Sequence, residues 1–587
     1  MTKRSKLEIN FDLIGIAIFI AISFSLIGCA QKEPETADLN TILVNADFET
    51  GFELIDKASQ CPKIRGEVAF EWFDNSCWEG NYEADIEFAK TTDAHSGEFA
   101  QRVEIKDKLV NIGQTVNFKS GQIYSASIWM KADRAMTVTL LLRKAGYPYS
   151  YYAQKILSLN NTWTKYNLSG LPLPGEGFFM ITSEDKGVFY MDDAALGSSL
   201  IPSTPITSSI IPKSYFGLHI HSSDISWPDK SLNIGTVRLW DASGNKPPSD
   251  DAQWAAINTA EGVYDWTSLD KHVNRAIANG AEIVFNLART PQWASARPDE
   301  DSPYGSGQAA EPANDKYWQD WVRAVASRYK GKIKYWEIWN EPNYDWFWTG
   351  STEKLVDLTK QARDILRSID ADNKIISPSP YDMGYLAEFL EYGGGDYVDI
   401  ISYHFYLDDQ APEFLYNSYV PTVKSIMANY GQNKPLWDTE NGWPGQQLAT
   451  NQAIGYLARA YLLEWAAGVG RFYFYAWDEN NDSVILADYP DYSELNPVGI
   501  AYAELSDWLI GSKMLNIETK ADDTWIIELQ QADNSKGYIV WNPKKQINFD
   551  MPSSWQIAKM RDLSGQERSL TSSGIMVDNK PILLEAR

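Results

Sequence analysis

Residues 335–342 read Tyr-Trp-Glu-Ile-Trp-Asn-Glu-Pro, an apolar and aromatic run that ends in an amide, a carboxylate and a proline. Proline disfavours helix at the residue before it, so the run predicts a buried strand whose last residues open onto a surface. Taken alone, the stretch leaves two interpretations of Glu341 open. It is either a solvated carboxylate in a turn or an acid placed beside aromatic rings for chemistry.

Strand-like and helix-like segments alternate from residue 215 to residue 510. The strand-like runs are Phe216–His221, Thr236–Asp241, Glu282–Leu287, Ile333–Glu341, Ile375–Pro380, Asp399–Tyr406, Leu436–Glu440 and Arg471–Asp478. The helix-like segments include Leu269–Asn279, Lys316–Lys330, Glu353–Ser368, Gln452–Ala467 and Pro497–Leu509. Eight alternations over about 300 residues predict a (β/α)₈ barrel, in which the loops after the strands build the functional site.

Polar and aromatic residues gather where these predicted strands end. They are Arg238, Trp240, Asn286, Asn340, Glu341, His404, Tyr406, Glu440 and Trp477. Glu341 and Glu440 end strands four and seven, so their side chains face each other across the barrel mouth. Two carboxyl groups about 5–5.5 Å apart can cleave a glycoside with retention, whereas a separation of about 6.5–9.5 Å admits water and gives inversion.

Three short motifs in this region resemble a known group of enzymes. Trp-Asn-Glu-Pro at 339–342, with a second Glu ending strand seven, resembles clan A of the glycoside hydrolases, a retaining group with catalytic glutamates on strands four and seven. Within the clan, residues 336–343, Thr-Pro-Gln-Trp-Ala at 290–294 and Val-Arg-Leu-Trp-Asp at 237–241 are similar to glycoside hydrolase family 39. The resemblance implies a barrel that hydrolyses β-glycosidic bonds.

The resemblance also implies roles for single residues. Glu341 would be the general acid/base and Glu440 the nucleophile, which requires a raised pKa for the first and an ionised state for the second. The implied substrate-binding residues are Asn340 on the sugar 2-hydroxyl, Tyr406 on the nucleophile with His404 below it, Arg238 beside Glu440, and Trp477 as a platform under the ring. A satisfied core histidine is the alternative for His404.

Two further inferences concern the surroundings of this site. Trp346, Trp348 and Trp443 follow strands four and seven, either as walls of sugar subsites or as loop packing. No His, Cys and carboxylate cluster has the spacing of a catalytic metal site, so we expect catalysis without a cofactor.

The amino terminus predicts export. Lys3, Arg4 and Lys6 precede a mostly apolar segment that ends at residue 27, and this pattern is typical of a secretory signal. Gly28 followed by Cys29 resembles the lipobox of bacterial lipoproteins, which implies a signal peptide over 1–29 and lipidation of Cys29. Residues 30–39 then predict a polar tether. The alternative is an uncleaved membrane anchor, although the apolar run is short for a spanning helix.

Cysteine content fits an exported chain. Three Cys are present, so Cys61 and Cys77 remain as a pair once Cys29 is set aside. An even pair in an oxidising compartment predicts a disulfide, with two buried free thiols as the alternative. We therefore expect a protein that is lipid-anchored at the bacterial cell envelope, at the outer membrane or the cell surface.

Residues 40–200 contain short strand-like runs separated by Gly, Asn and Asp clusters, which is typical of a β-sandwich. Residues 45–51 and 188–193 resemble the first and last strands of jelly-roll carbohydrate-binding modules. That resemblance implies Glu49 and Asp192 as ligands of a structural calcium. A sandwich that serves only as a spacer is the alternative.

The remaining segments complete a multidomain organisation. Residues 201–214 are rich in Pro and Ser and predict a linker, and the barrel would occupy 215–510. Short strand-like runs in 511–587 predict a small β-sandwich.

Composition and motifs together support one function and leave two others open. A formal net charge of −26 argues against nucleic acid as a partner, because phosphate binding needs a basic surface. Our hypothesis is an exported, lipid-anchored retaining β-glycosidase acting on a polysaccharide or an oligosaccharide. The alternatives are a surface glycan-binding lipoprotein without catalysis and a transglycosylase of envelope polysaccharide.

Overall fold

A computed structural model describes residues 41–586 except 56–60, 78–81, 120, 147–150, 173, 201–208, 243–251, 408–409, 444–447, 479–483, 489–491 and 571–573. Residues 40–587 form one compact unit. The predicted signal peptide, Cys29 and the tether lie outside the described residues, as does most of the predicted linker. Within the described part of the chain, no helix is long and apolar enough to cross a bilayer.

The amino-terminal region is a two-sheet β-structure. Its strands are β1 Phe52–Leu54, β2 Ile64–Ala69, β3 Phe73–Asp74, β4 Asp85–Thr91, β5 Ala100–Asp107, β6 Val110–Phe118, β7 Gln122–Ala132, β8 Met136–Lys144, β9 Tyr151–Leu159, β10 Thr164–Gly170, β11 Gly175–Ser183 and β12 Gly187–Leu200. They form a seven-stranded sheet, β1-β2-β4-β5-β12-β7-β10, and a five-stranded sheet, β3-β6-β11-β8-β9. Alternate side chains of both sheets meet in one apolar cluster that includes Ile128, Met191, Leu140 and Phe179.

This arrangement supports the predicted β-sandwich, while its description as a jelly roll stays a prediction. Cys61 and Cys77 are joined in a disulfide with 6.0 Å between their Cα atoms. The bond ties the segment before β2 to the segment after β3.

The central region is a sheet of eight parallel strands with helices between them. The strands are β13 Phe216–His219, β14 Thr236–Leu239, β15 Glu282–Leu287, β16 Tyr335–Ile338, β17 Lys374–Ile376, β18 Ile401–Tyr403, β19 Leu436–Asn441 and β20 Val469–Phe474. The helices are α1 Trp254–Ile257, α2 Thr267–Ala278, α3 Asp315–Arg328, α4 Thr352–Ile369, α5 Met383–Glu391, α6 Val420–Asn429, α7 Thr450–Ala467 and α8 Pro497–Leu509.

The sheet closes on itself. Its strand order is β17-β16-β15-β14-β13-β20-β19-β18, and a parallel bridge between Ile376 and Ile400 joins the two ends. This geometry matches the predicted (β/α)₈ barrel. Most observed strands stop earlier than predicted, because the chain turns away from the sheet before the polar residues at the mouth.

The carboxyl-terminal region packs against the barrel. Its strands are β21 Lys513–Thr519, β22 Trp525–Gln530, β23 Lys536–Trp541, β24 Ile547–Asp550, β25 Ile557–Asp562, β26 Glu567–Ser569, β27 Gly574–Val577 and β28 Ile582–Ala586. They form a six-stranded sheet, β21-β22-β23-β28-β25-β26, and a β24-β27 pair. One face of the large sheet joins the apolar core of the barrel and the other packs on β24 and β27.

Side chains connect the three regions. Trp541 donates its Nε1–H to Glu413, which also forms an ion pair with the buried Arg459 of α7. Ile210, before the barrel, forms an antiparallel bridge with Lys513. Lys155 of β9 lies 3.6 Å from Glu391 of α5. The sequence boundaries at 200, 215 and 510 stay predictions.

Candidate active site

Arg238 lies at the centre of the barrel mouth and is fully buried. Its guanidinium donates to Glu337 Oε2 at 2.7 Å, to Glu440 Oε2 at 2.8 Å and to Asn340 Oδ1 at 2.7 Å. Glu337 and Asn340 lie on and just after β16, whereas Glu440 lies on β19, far away in sequence. One cation therefore sets the relative positions of a strand-four carboxylate, a strand-seven carboxylate and an amide.

The backbone around Glu341 is a strained turn rather than a strand end. Strand β16 stops at Ile338, and both Trp339 and Glu341 have positive φ, 68° and 37°. Non-glycine residues pay about 1–3 kcal/mol each for such conformations, which tend to persist at functional sites. The Glu341 N–H donates to Ser379 O at 3.1 Å, and the Trp339 indole donates to Phe347 O at 2.6 Å. The turn thus points Glu341 into the mouth.

The two predicted catalytic carboxylates are brought together. One oxygen of Glu341, one oxygen of Glu440 and one ring nitrogen of His404 all lie within 4.8 Å of one another. Glu440 is held on both oxygens, because Tyr406 donates its O–H to Oε1 at 2.9 Å while Arg238 donates to Oε2. Glu341 has no contact with Arg238 among the hydrogen bonds of the described residues.

Their electrostatic surroundings differ. Burial raises the pKa of Glu341 to about 7; Arg238 opposes this shift and Asp241 adds to it. Burial also raises the pKa of Glu440, but the charge of Arg238 and the Tyr406 hydrogen bond oppose that rise and favour the ionised form. The pair therefore consists of a carboxyl that keeps its proton near neutral pH and a carboxylate with two donors.

His404 belongs to this cluster rather than to an ordinary core. It is fully buried, and its Nδ1 lies 2.8 Å from Glu341 Oε1. Burial lowers the pKa of His404 to about 4, so its ring is neutral at neutral pH. A neutral ring with Nδ1 protonated donates to Glu341 Oε1 and leaves the other Glu341 oxygen to carry a transferable proton.

Sequence reasoning missed Glu337, which is fully buried beneath the mouth. Its Oε2 accepts from Arg238 and from Asn286 Nδ2, the latter at 2.9 Å. Asn286 in turn donates to Trp339 O at 2.7 Å and so supports the turn before Glu341. Strand alternation was the available signal, because it directs Glu337 inward when Trp336 and Ile338 face the helices.

Trp477 does not form a platform, which corrects the sequence-based assignment. It is 1% exposed and packs near Tyr492, because β20 ends at Phe474 and the chain turns behind the mouth. The half-buried Tyr475 lies at the mouth instead, with its ring 5.1 Å from His219 and 5.0 Å from His221. The aromatic side chain at this strand end is therefore two residues earlier than predicted.

A second pair of carboxyl groups lies one layer below Glu440. Asp438 and Glu464 are fully buried, hydrogen-bond to each other, and both accept from Asn441 Nδ2 at 2.8 and 3.1 Å. Burial raises the pKa of both groups, that of Asp438 to about 8, so the pair shares a proton at neutral pH. Asp438 also accepts from the N–H of Glu440 at 3.4 Å, directly behind the predicted nucleophile.

Two groups of carboxylates among the described residues bear on metal binding. The cluster of Glu341, His404 and Glu440 is unsuited to a cation, because Arg238 already places a positive charge 2.8 Å from Glu440. The structural calcium implied at Glu49 and Asp192 stays a prediction. Glu49 accepts from the N–H groups of Glu98 and Phe99, and Asp192 from those of His95 and Ser96. Both carboxylates therefore anchor the 95–99 loop.

Parts of this chain are similar in sequence to known glycoside hydrolases. Residues 236–482 match the family model described as cellulase, glycosyl hydrolase family 5. Over 98 residues the chain is 31% identical to endo-1,4-beta-xylanase 1 of Gibberella zeae, covering 17% of this chain and 26% of that protein. Over 158 residues it is 25% identical to a beta-xylosidase of Caldicellulosiruptor saccharolyticus, covering 25% and 32%. The matches thus span about a third or less of these relatives.

A solved structure shares the fold. A family 39 glycoside hydrolase from the gut symbiont Bacteroides cellulosilyticus WH2 covers 78% of this chain and 96% of its own, with a TM-score of 0.52 and 17% identity. At that identity the likeness concerns the fold alone. In sequence, residues 236–482 are thus similar to glycosyl hydrolase family 5, and in fold the chain is similar to a family 39 glycoside hydrolase.

Proposed function

We propose that this protein is a retaining β-glycosidase that cleaves a polysaccharide or an oligosaccharide by double displacement. The observation that carries the proposal is the pair of Glu341 and Glu440, whose oxygens lie within 4.8 Å of each other and whose surroundings favour opposite protonation states. This separation is shorter than the about 6.5–9.5 Å between the carboxyl groups of inverting enzymes, and it suits attack by Glu440 to form a covalent intermediate.

In the first step, Glu440 attacks the anomeric carbon while Glu341 gives its proton to the glycosidic oxygen. The bond between the anomeric carbon and that oxygen breaks, and an ester between the sugar and Glu440 forms. Tyr406 and Arg238 hold Glu440 ionised and oriented before attack. Asn340, whose Oδ1 is fixed on Arg238, presents its Nδ2 as a donor to a sugar hydroxyl.

In the second step, Glu341 acts as a base. Ester formation removes the negative charge of Glu440 that neutralises Arg238. Arg238 then keeps Glu337 as its carboxylate partner. Because Arg238 lowers the pKa of Glu341, a guanidinium with one carboxylate partner fewer lowers it further. Glu341 then takes a proton from water, which attacks the anomeric carbon and releases Glu440. Two inversions give net retention.

Xylan-type substrates are the first to test. The curated relatives named above are a xylanase and a xylosidase. The motifs at 237–241, 290–294 and 336–343 resemble those of glycoside hydrolase family 39. Tyr475, half-buried at the mouth, is the aromatic surface against which we place the bound sugar ring.

The other regions have proposed roles as well. We place the enzyme at the bacterial cell envelope, anchored through a lipid on Cys29, because the first 29 residues read as a lipoprotein signal. The amino-terminal sandwich would hold glycan near the catalytic domain. Globomycin-sensitive processing of the precursor and palmitate labelling that is lost in Cys29→Ser test the anchor.

Chemical rescue tests the catalytic assignment. Glu440→Ala is expected to abolish turnover, and added azide is expected to restore cleavage of an activated aryl β-glycoside and yield a glycosyl azide of inverted configuration. The matched control is Glu337→Ala, which removes a neighbouring carboxylate that cannot reach the sugar and should show no azide rescue. Full activity of Glu440→Ala would overturn the proposal.

A further inference from the structure

Four aromatic rings extend outward from the predicted nucleophile. Tyr406 donates its O–H to Glu440, and its ring centroid lies 6.1 Å from that of Tyr381. The ring centroids of Tyr381 and Tyr344 are 6.4 Å apart, with an interplanar angle of 18°. Tyr344 is stacked on Trp346 at 6.1 Å and 25°. We call Tyr381, Tyr344 and Trp346 the aromatic strip. Its outer two rings are near-parallel to their neighbours and face solvent.

The outer end of the strip is unusually open. Trp346 is 63% exposed and Tyr344 is 37% exposed, and Trp346 is the sole exposed tryptophan among the residues that the structure describes. The next two aromatic residues of the same loop, Phe347 and Trp348, are buried. A tryptophan that stays exposed in the folded chain does not contribute the free energy that its burial would give. A ring held open beside a cleft therefore indicates a binding surface.

The loop that carries the two outer rings, Tyr344 and Trp346, is fixed by backbone hydrogen bonds. The Tyr344 N–H donates to Glu341 O at 3.0 Å, and the N–H groups of Phe347 and Trp348 both donate to Tyr344 O. Ser302 donates its O–H to Trp346 O at 3.3 Å. Because the backbone is fixed on both sides of the open rings, the strip is preorganised and loses little conformational freedom on binding.

Strand order identifies which part of a substrate the strip faces. A line from Glu341, after β16, to Glu440, on β19, divides the mouth into two halves. Tyr381 and Tyr406 follow β17 and β18 on one side, whereas Tyr475, His219 and Asp241 lie on the side of β20, β13 and β14. The two outer rings, Tyr344 and Trp346, lie on the loop of Glu341, the residue that protonates the departing oxygen. The leaving part of the substrate therefore passes over it.

The charges around the aromatic strip indicate which class of glycan it can bind. Asp345 lies between Tyr344 and Trp346 in sequence and is exposed. Asp299 and Asp301 are exposed on the loop that contacts Trp346. The cation of that loop, Arg297, is already paired with Glu300 and Glu311. A glycan rich in uronate or sulfate would be repelled by this surface, whereas a neutral chain can stack on the rings without such a cost.

We propose that Tyr344 and Trp346 form a binding site for at least two sugar units of a neutral glycan on its leaving-group side. The inference rests on the proposed glycosidase function and extends it. It predicts that the enzyme prefers long, uncharged chains and releases reducing-end fragments longer than a single sugar.

The test compares long and short substrates of the full chain. Wild type and Trp346→Ala are assayed on xylohexaose, cellohexaose and mannohexaose, and on the matching 4-nitrophenyl β-glycosides of single sugars. For each hexasaccharide that wild type cleaves, kcat/KM is expected to fall about tenfold or more in Trp346→Ala, with less than twofold change on the aryl glycoside. Tyr344→Ala should act in the same direction, and Tyr392→Ala, an exposed ring at the end of α5, serves as the control.

Each outcome decides the inference. Unchanged hexasaccharide cleavage in Trp346→Ala, or equal losses on both kinds of substrate, would overturn the strip as a sugar site and leave the glycosidase intact. Failure of wild type on every glycoside of both kinds would overturn the proposed function and the strip with it. A thermal melt of each variant checks that the fold is retained.

Discussion

The two ends of the barrel differ in the side chains that surround their buried arginine. At the base, Val284, Ile376, Ile400, Trp437 and Tyr473 fill the interior with apolar side chains. The cation there, Arg471, lies over the Tyr335 and Trp437 rings at 4.4 and 4.1 Å and pairs with the half-exposed Glu282. At the mouth, one buried cation, Arg238, contacts two carboxylates directly, and Glu341 and His404 lie beside them.

The difference separates stability from function. At the base, cation–π contacts with two rings and an ion pair with one half-exposed carboxylate stabilise the charge of the arginine. The mouth instead holds buried carboxyl groups whose pKa values are raised, which costs stability and prepares acid–base chemistry. Variants that affect one end and spare the other test this reading.

The largest effect is expected for Glu341→Gln. Removing the proton donor should lower kcat about 10²–10⁴-fold on substrates with poor leaving groups and much less on activated aryl glycosides. Wild-type activity should fall as pH rises through about 7, where Glu341 loses its proton, and also on the acid side, where Glu440 gains one. The alkaline decline should be absent in the variant. An unchanged pH profile would contradict the acid role.

Two arginine variants compare the ends directly. Arg238→Met leaves Glu337 and Glu440 buried without their cation, so we expect a loss of about 10²–10³-fold in kcat/KM and of about 3–5 kcal/mol in unfolding free energy. Arg471→Met keeps an apolar chain over the rings and leaves Glu282 hydrated, so the activity should stay within about twofold. Equal losses of activity in the two variants would remove the distinction between mouth and base.

A smaller contrast lies within the mouth. Tyr475→Ala should lower kcat/KM about tenfold by removing the surface under the bound sugar, whereas Trp477→Phe should cost about 1–2 kcal/mol in stability and change kcat/KM less than threefold. Steady-state kinetics and thermal melts of both variants measure this. The reverse ranking would restore Trp477 as the platform.

The smallest effect on activity is expected for Asp438 and Glu464, whose shared proton acts on stability. The folded pair keeps a proton up to about pH 8 that unfolded carboxyls release near pH 4, so unfolding releases a proton in this window. The unfolding free energy of wild type should therefore decrease as pH rises from 4 to 8, by up to about 1.4 kcal/mol per pH unit. In Glu464→Gln the amide can donate to Asp438, whose pKa falls, so the slope should flatten. Glu53→Gln, an exposed carboxylate, should leave the slope unchanged.

Much of the site could be predicted from two signals in the sequence. The period of the apolar residues marks the strands, and the functional residues of a barrel gather where its strands end. Alternating apolar runs place Glu341 and Glu440 at strand ends, and the barrel rule then makes them neighbours. The Arg238 and Tyr406 contacts with Glu440 follow from the same rule together with the resemblance.

Other features depend on where the chain leaves the sheet. Trp477 was misassigned because β20 ends three residues before it, and a hydrophobic pattern does not mark that point. Glu337 was overlooked because a charged residue between Trp and Ile still reads as a buried strand. The contrast between the open Trp346 and the buried Trp348 arises from backbone hydrogen bonds within one turn, which have no sequence period.

The stereochemistry of the first-formed product tests the central claim most directly. A ¹H NMR time course of wild-type cleavage of a β-glycoside, recorded before mutarotation, should show the β-anomer appearing first, because attack by Glu440 and then by water inverts the centre twice. Initial appearance of the α-anomer would contradict the double displacement and the assignment of Glu440 as nucleophile.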